Sequence, residues 1–353
     1  ADEVAPHLDI LERQELIFSL HGGDEYRFKH ALVQDAVYNS LLTPNREALH
    51  ERAAEVIERR REDRLMEVAD ILAYHYSHTR RTEKAIRYLA LAGEKSLGVY
   101  SLDEAKQRFD QALALIDEAP DSVDDTFLAD LLLNIARVNY YRTNLKDSIS
   151  LADRYLARVE SFGDKRRTSR LLFELGFAKL LAGRTREGKP MLERALAIGE
   201  EIDDAEAIGY ACMGLMWNYI FWEPGTEERR TIFQQLGERA YAAAKQTGDN
   251  WLTTKTLGAL SNEAALWGRP DRVRQFDQQL LELSERTNDP RVRSETLFRI
   301  AFSRAGSGDY EEAVQLADES LRISLCPMDR LFARHAKGLS LAAMGRAEDG
   351  YDV

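Results

Sequence analysis

Cysteine is almost absent: Cys212 and Cys326 are the only two in 353 residues. Two thiols cannot build a disulfide framework or a zinc ribbon, and such scarcity suits a reducing compartment. Proline (8) and glycine (21) are also sparse, which disfavours β architectures with their many tight turns. No run of 18 or more apolar residues occurs, so no bilayer-spanning helix is expected. Positive charge is in deficit, with 48 Lys and Arg against 60 Asp and Glu, a balance of −12. A nucleic-acid backbone binder needs a basic face to displace counterions, and that balance argues against one. Apolar side chains, by contrast, make up 44% of the residues, enough for a packed core and outside the range of disorder. The expectation is a cytoplasmic, helix-rich chain without membrane or nucleic-acid partners. The chain starts at Ala1, and Gly345–Val353 reads as the first turn of an unfinished helix. Both ends therefore suggest a piece of a longer protein.

Self-similarity is the strongest positive signal. The Asp residues of the clusters Gly163-Asp164, Asp203-Asp204, Gly248-Asp249 and Asn288-Asp289, which read as helix ends, are spaced by 40, 45 and 40. One unit is thus about 40 residues, with a five-residue insertion in the unit that begins near Asp204. Each unit reads as two helices. Leu171, Leu172, Leu175, Phe177, Ala178 and Leu181 run at helical spacing, Gly183-Arg184 breaks the run, and Met191, Leu192, Ala195, Leu196 and Ile198 resume it. Small residues recur before and after the break, as Gly176 and Gly188, Ala301 and Ala313, Gly338 and Gly350, where they let antiparallel helices approach closely. One such pair cannot bury its apolar stripe alone, so neighbours must stack.

Leu175-Gly176 with Gly188, Leu192 and Ala195 resembles the tetratricopeptide repeat, as do Ile300-Ala301 with Ala313, Ala317 and Ser320, and Ala105, Phe109 and Ala112. The resemblance covers roughly residues 65–353 and implies an all-α fold, a right-handed superhelix of about seven helix pairs truncated in its last repeat. The 40-residue period points to the longer-helix variant of signalling ATPases and maltose-regulator-type activators.

Residues 1–64 follow a different rhythm. Leu8, Leu11 and Leu16 suggest a short helix, and Leu16–Leu20, His21–Glu25 and Tyr26–His30 read as strand, glycine turn, strand. Helix resumes over 32–38, pauses at Thr43-Pro44-Asn45, and continues through Leu49, Ala53, Val56 and Ile57. Helix, hairpin, helix is the tail of a winged-helix domain. The stretch Tyr26–Leu42 with Arg46 and Leu49-His50, continued by Leu72–Tyr76 and Ala90–Gly93, resembles the junction that follows the nucleotide-binding module of STAND-type signalling ATPases. Such modules are often fused behind a class III adenylate or guanylate cyclase. A DNA-reading role for the winged helix is disfavoured by charge, since residues 1–64 carry 9 Lys and Arg against 14 Asp and Glu.

Catalytic motifs are missing. No Gly-x-x-x-x-Gly-Lys-Ser/Thr loop occurs; Gly183 to Gly188-Lys189-Pro190 places proline where the magnesium-reaching hydroxyl belongs and reads as an inter-helix turn. Gly306-Ser307-Gly308 reads the same way. No Gly-x-Ser-x-Gly elbow exists, and neither cysteine has a recognisable base. His75 and His78 stand three apart on one helix, but packing or surface explains them better than a metal. His30 and His50 are expected to fix the hairpin through hydrogen bonds. Arg59-Arg60-Arg61 with Arg64, interleaved with Glu58, Glu62 and Asp63, reads as a solvated helix end. No cofactor or metal is expected in this chain, and ATP and Mg are implied only for the parent by the resemblance.

Two features bear on recognition. Met213–Gly225 is apolar on nearly every face and reads either as core under the inserted segment or as a docking surface with aromatic anchors. In the resembled family the first helix of each pair lines a concave groove, which by phase with Gly176 and Ala301 maps to Arg137, Tyr141, Arg170, Phe173, Phe177, Trp217, Phe221, Asn262, Phe298 and Phe302. Such a groove suits a hydrophobic peptide, a helix, or the parent's own upstream domains. The function expected is non-catalytic protein–protein recognition, the regulatory arm of a STAND-type ATPase of the cyclase-fused kind. The alternative is the arm of a transcription activator whose DNA-binding domain lies outside the chain. An enzyme hidden in the chain would require a pocket with converging titratable groups.

Overall fold

The computed structural model describes residues 4–20, 25–221, 226–346 and 348–349, without the side chains of Ala152 and Phe221. The chain divides into two compact units, residues 1–92 and 93–353. The boundary expected at 64/65 falls inside the first unit, which takes in the first helices of the expected array.

The first unit opens with α1 (Ala5–Arg13), β1 (Ile17–Leu20) and β2 (Glu25–Phe28). The strands pair antiparallel, with Ile17 opposite Phe28 and Leu20 opposite Glu25. The expected glycine turn over 21–24 lies outside the described residues. Helices α2 (Ala31–Ser40), α3 (Thr43–Arg60) and α4 (Leu65–Tyr76) follow, and α5 (Thr82–Gly98) begins here. Pro44 sits in the first turn of α3, where its missing N–H costs nothing. Glu58 on α3 ties three helices together: it accepts from Tyr76 Oη at 2.5 Å, Lys84 Nζ at 2.7 Å and Tyr88 Oη at 2.7 Å.

The second unit is a stack of helix pairs. After α6 (Leu102–Glu118) come α7 (Asp125–Tyr141) with α8 (Leu145–Ser161), α9 (Lys165–Leu181) with α10 (Thr185–Glu201), α11 (Ala205–Phe221) with α12 (Glu227–Thr247), α13 (Asn250–Leu266) with α14 (Pro270–Thr287), and α15 (Pro290–Ser307) with α16 (Tyr310–Ile323). α17 (Pro327–Ala343) closes the series. The periodic aspartates are N-caps. Asp164, Asp204, Asp249 and Asp289 accept backbone N–H bonds from Arg167, Ala207, Leu252 and Arg291, each satisfying a donor that the first helical turn leaves free. Within pairs, the chain reverses through Gly183 (φ 78°), Gly268 (φ 63°) and Gly308 (φ 91°), conformations that an L side chain resists. The inserted residues are taken up in part by α12, which has 21 residues where α10 has 17.

Helices α9, α11, α13 and α15 pack on their own partners and on one another, α9 to α11, α11 to α13 and α13 to α15. They are therefore buried nearly all round, while α10, α14 and α16 bury one stripe. That explains the apolar run at Met213: residues 213–218 are buried as core, and 222–225 lie outside the described residues. Small residues set the helix spacing as expected, with the fully buried Ala301, Ala317 and Ala336 forming one contact cluster across α15, α16 and α17. α17 also touches α7, so the superhelix of the second unit returns on itself.

Candidate functional site

Because the coil closes, its inner face is filled. Of the ten groove positions read from the sequence, Tyr141, Phe173, Phe177, Trp217 and Phe298 are buried, and their rings are linked in one series of contacts through Tyr140 and Phe332. Phe173 lies 5.6 Å from Phe177 between ring centroids, Trp217 lies 5.6 Å from Phe177 and from Phe332, and Phe298 lies 5.5 Å from Phe332. These contacts join α9, α11, α15 and α17. Asn262 and Phe302 are half-buried and stand apart from the cavity described below, Phe302 packing against His335 at 5.6 Å. The side chain of Phe221 is outside the described residues.

A charged cluster that sequence reasoning missed sits among these rings. Lys255 on α13 is fully buried; its Nζ donates to Glu295 Oε1 at 2.8 Å and to Tyr140 Oη at 2.9 Å, and lies 4.5 Å from the Trp251 ring centroid. Glu295, 1% exposed, also accepts from Arg299 Nη2 at 2.9 Å. Arg291 stands 3.6 Å from Glu295 and 3.7 Å from Asp329. Burial pushes the Lys255 ammonium down to about 8, with Glu295 opposing and Arg299 and Arg291 assisting. Burial alone would raise the Glu295 carboxyl, but Lys255, Arg299 and Arg291 together hold it at about 2. Titratable groups do converge here. Their side chains are only 1% to 6% exposed and turned on one another, so the cluster has the character of a structural ion network rather than a reaction centre.

The period could have found it. Arg170, Tyr210, Lys255 and Glu295 are spaced by 40, 45 and 40, the same intervals as the capping aspartates, so all four occupy the sixth position after a cap. Trp251 and Arg291 likewise share the second position after theirs. The sequence reading took Arg170 from this position and otherwise followed the stripe that begins three residues later, at Phe173 and Phe298.

Beside the cluster lies a cavity of about 230 Å³ lined by Arg137, Tyr140, Tyr141, Arg170, Glu174, Phe177, Tyr210, Trp251 and Arg291. Three of the predicted groove residues besides Phe177 therefore meet here: Arg137, Tyr141 and Arg170. The Arg170 guanidinium lies 3.3 Å from the Tyr210 ring centroid and bonds Glu174 and Glu206, each at 3.2 Å. Tyr210 donates to the cap Asp249 at 2.6 Å and stacks on Trp251 at 5.4 Å. Arg291 lies 4.4 Å from the Tyr141 ring centroid. A larger cleft of about 700 Å³ opens at α14, α15 and α16, but its Arg293 and Arg322 both engage Glu319.

In the first unit, His50 links helices rather than the hairpin. Its ring hydrogen-bonds Tyr38 Oη of α2 and His75 Nδ1 of α4, both at 2.9 Å, and stacks on His78 at 4.7 Å. His30 precedes α2 and makes no side-chain cap bond. Among the described residues no group of three or more His, Cys, Asp or Glu is arranged to hold a metal ion. The Gly183–Pro190 segment forms an inter-helix turn and the start of α10, and Gly306–Gly308 forms the end of α15 and the turn after it. Cys212 and Cys326 are buried and unpaired, with burial raising their thiols to about 11 and about 12. No described helix is long and apolar enough to cross a membrane.

No family model matches the chain. A stretch of 101 residues is 29% identical to an uncharacterized protein of Rhizobium meliloti (strain 1021), covering 29% of this chain and 10% of that protein. The match thus spans about a tenth of the relative's length. Among solved structures, a Rap protein complexed with Competence and Sporulation Factor superposes with a TM-score of 0.62 at 14% identity, over 91% of this chain and 87% of that one. A Signal Transduction ATPase with Numerous Domains (STAND) protein with a tetratricopeptide repeat sensor, from Pyrococcus horikoshii, gives 0.54 at 14% identity, over 97% of this chain and 50% of that one. The chain therefore spans half the length of that ATPase. At such identities the likeness establishes the fold, an all-α tetratricopeptide-type solenoid.

Proposed function

We propose that the chain is a non-catalytic recognition arm, the sensor of a STAND-type signalling ATPase, with residues 1–64 as the tail of its winged helix. The observation that carries this reading is the inner-face cavity where side chains from α7, α9, α11, α13 and α15 meet, since an occupant there would touch most of the array at once. The Rap neighbour is complexed with Competence and Sporulation Factor on the same fold, and the STAND neighbour has a tetratricopeptide repeat sensor. An adenylate or guanylate cyclase at the head of the parent rests on the junction at residues 26–50. The partner is a protein or peptide, including the parent's own upstream domains. Regulation of this kind requires the partner to bind two states of the ATPase with different affinity. Deleting residues 93–353 from the full-length protein should change its basal nucleotide turnover, and adding the arm back in trans should shift it again. Turnover unaltered by both manipulations would overturn the reading.

A further inference from the structure

The cavity wall carries three guanidinium groups, from Arg137, Arg170 and Arg291, against one carboxylate, Glu174, in a chain whose net charge is −12. Arg170 is answered by Glu174 and Glu206, and Arg291, 5% exposed, by Glu295 and Asp329 at 3.6 and 3.7 Å; the third has no carboxylate of its own. Arg137 is exposed and enters no ion pair among the described residues, although Glu94, which accepts from Asn134 at 3.0 Å, feels its charge. The remaining wall is aromatic: Tyr140, Tyr141, Phe177, Tyr210 and Trp251.

We propose that this cavity binds a carboxylate attached to a planar or apolar group, the carboxylate answering Arg137 and the group lying on the tyrosine and tryptophan faces. At about 230 Å³ the space is below the roughly 300 Å³ at which drug-sized ligand pockets begin, so it holds one residue or a small acid rather than a length of peptide. The chemistry is shared by a free aromatic acid and by the C-terminal residue of a peptide. This inference names the ligand for the recognition site proposed above and rests on that reading only for the consequence of binding.

Trp251 in the wall supplies the readout. The purified chain is titrated with phenylacetate, with phenylacetamide, with a tripeptide ending in phenylalanine, and with the same tripeptide amidated, while tryptophan fluorescence is followed. A saturable change with phenylacetate or with the free-carboxylate peptide, and none with the matching amide, is expected. Phenylacetate alone would mark a small acid as the ligand, and the peptide alone would mark a chain terminus. Arg137→Gln, at an exposed position that leaves the fold and the circular dichroism unchanged, should weaken binding by roughly tenfold or more. Amides binding as well as acids, no saturable response to either acid at millimolar concentration, or undiminished binding by Arg137→Gln would each overturn the proposal. Loss of this binding with turnover still governed by the arm would sink the ligand assignment and leave the recognition role standing.

Discussion

Glu295 faces three cations, Lys255, Arg299 and Arg291, inside the coil of the second unit. Replacing it with glutamine keeps the volume and removes the charge that those groups were desolvated to meet. Breaking a buried pair from one side leaves uncompensated charge and costs about 3–5 kcal/mol. Glu295→Gln is therefore expected to lower the unfolding free energy by that amount, seen as a lower denaturant midpoint at unchanged slope, whereas a loss under about 1 kcal/mol would show the cluster to be better solvated than its burial indicates. At His50 the same logic gives a pH dependence. The His50–His75 contact joins two Nδ1 atoms, so one ring must carry the proton and the other must lack it. Burial, then His78, holds both imidazoles below their ordinary 6.5, with His75 and Arg46 adding to the effect on His50. Tyr38 and Tyr74 are the other groups against the His50 ring. Because the folded pKa values are depressed, the unfolded chain takes up protons first as pH falls. Stability of the first unit is full above 6.5 and drains away as pH falls through the lower folded values. Protection factors of the α3 and α4 amides, corrected for the slower intrinsic exchange at low pH, should fall on acidification, and His50→Gln should flatten that dependence; an equal slope in the variant would assign the effect elsewhere.

Gly188 on α10 shows how an element is placed. A Cβ there would stand 2.6 Å from Gly176 O and 3.0 Å from Leu180 N, both backbone atoms that cannot swing aside. Gly188→Ala must push α10 off α9, an overpacking worth about 1–3 kcal/mol against a helix-propensity gain of at most about 1 kcal/mol. The net expected outcome is a lower urea midpoint, with Gly98→Ala, where no atom lies within 4 Å, unchanged or slightly stabilised. Equal midpoints for the two variants would mean that the helices tolerate separation. This contact was legible in the sequence, because small residues recur at fixed distance from each break. So were the capping aspartates, although as bare periodicity they read as helix ends rather than helix starts. Local chemistry, a side-chain oxygen beside free N–H groups or a glycine in a left-handed turn, leaves a local trace.

At the scale of the whole second unit, the repeat and its length followed from arithmetic, while the tightness of the coil did not. How far each pair rotates on the last depends on side-chain interdigitation between helices, not on any single motif. That rotation decides whether positions such as Phe177 and Trp217 line an open groove or fill it. It also explains why Lys255 and Glu295 were passed over: a lysine and a glutamate on a helix ordinarily mark the solvent face, and nothing near them in sequence announces that distant helices enclose them. Arg170, by contrast, was found because it lies within the stripe of helices already in phase.

The bond from Lys255 Nζ to Tyr140 Oη spans 115 positions. An open stack of repeats touches only its neighbours, so it can fray from an end and unfold in stages. A link between α13 and α7 removes that freedom, because the helices between them cannot peel away while both anchors hold. Closing so long a loop is also slow. The second unit should thus gather its parts late and lose them together, behaving as one cooperative globule rather than as a row of independent modules.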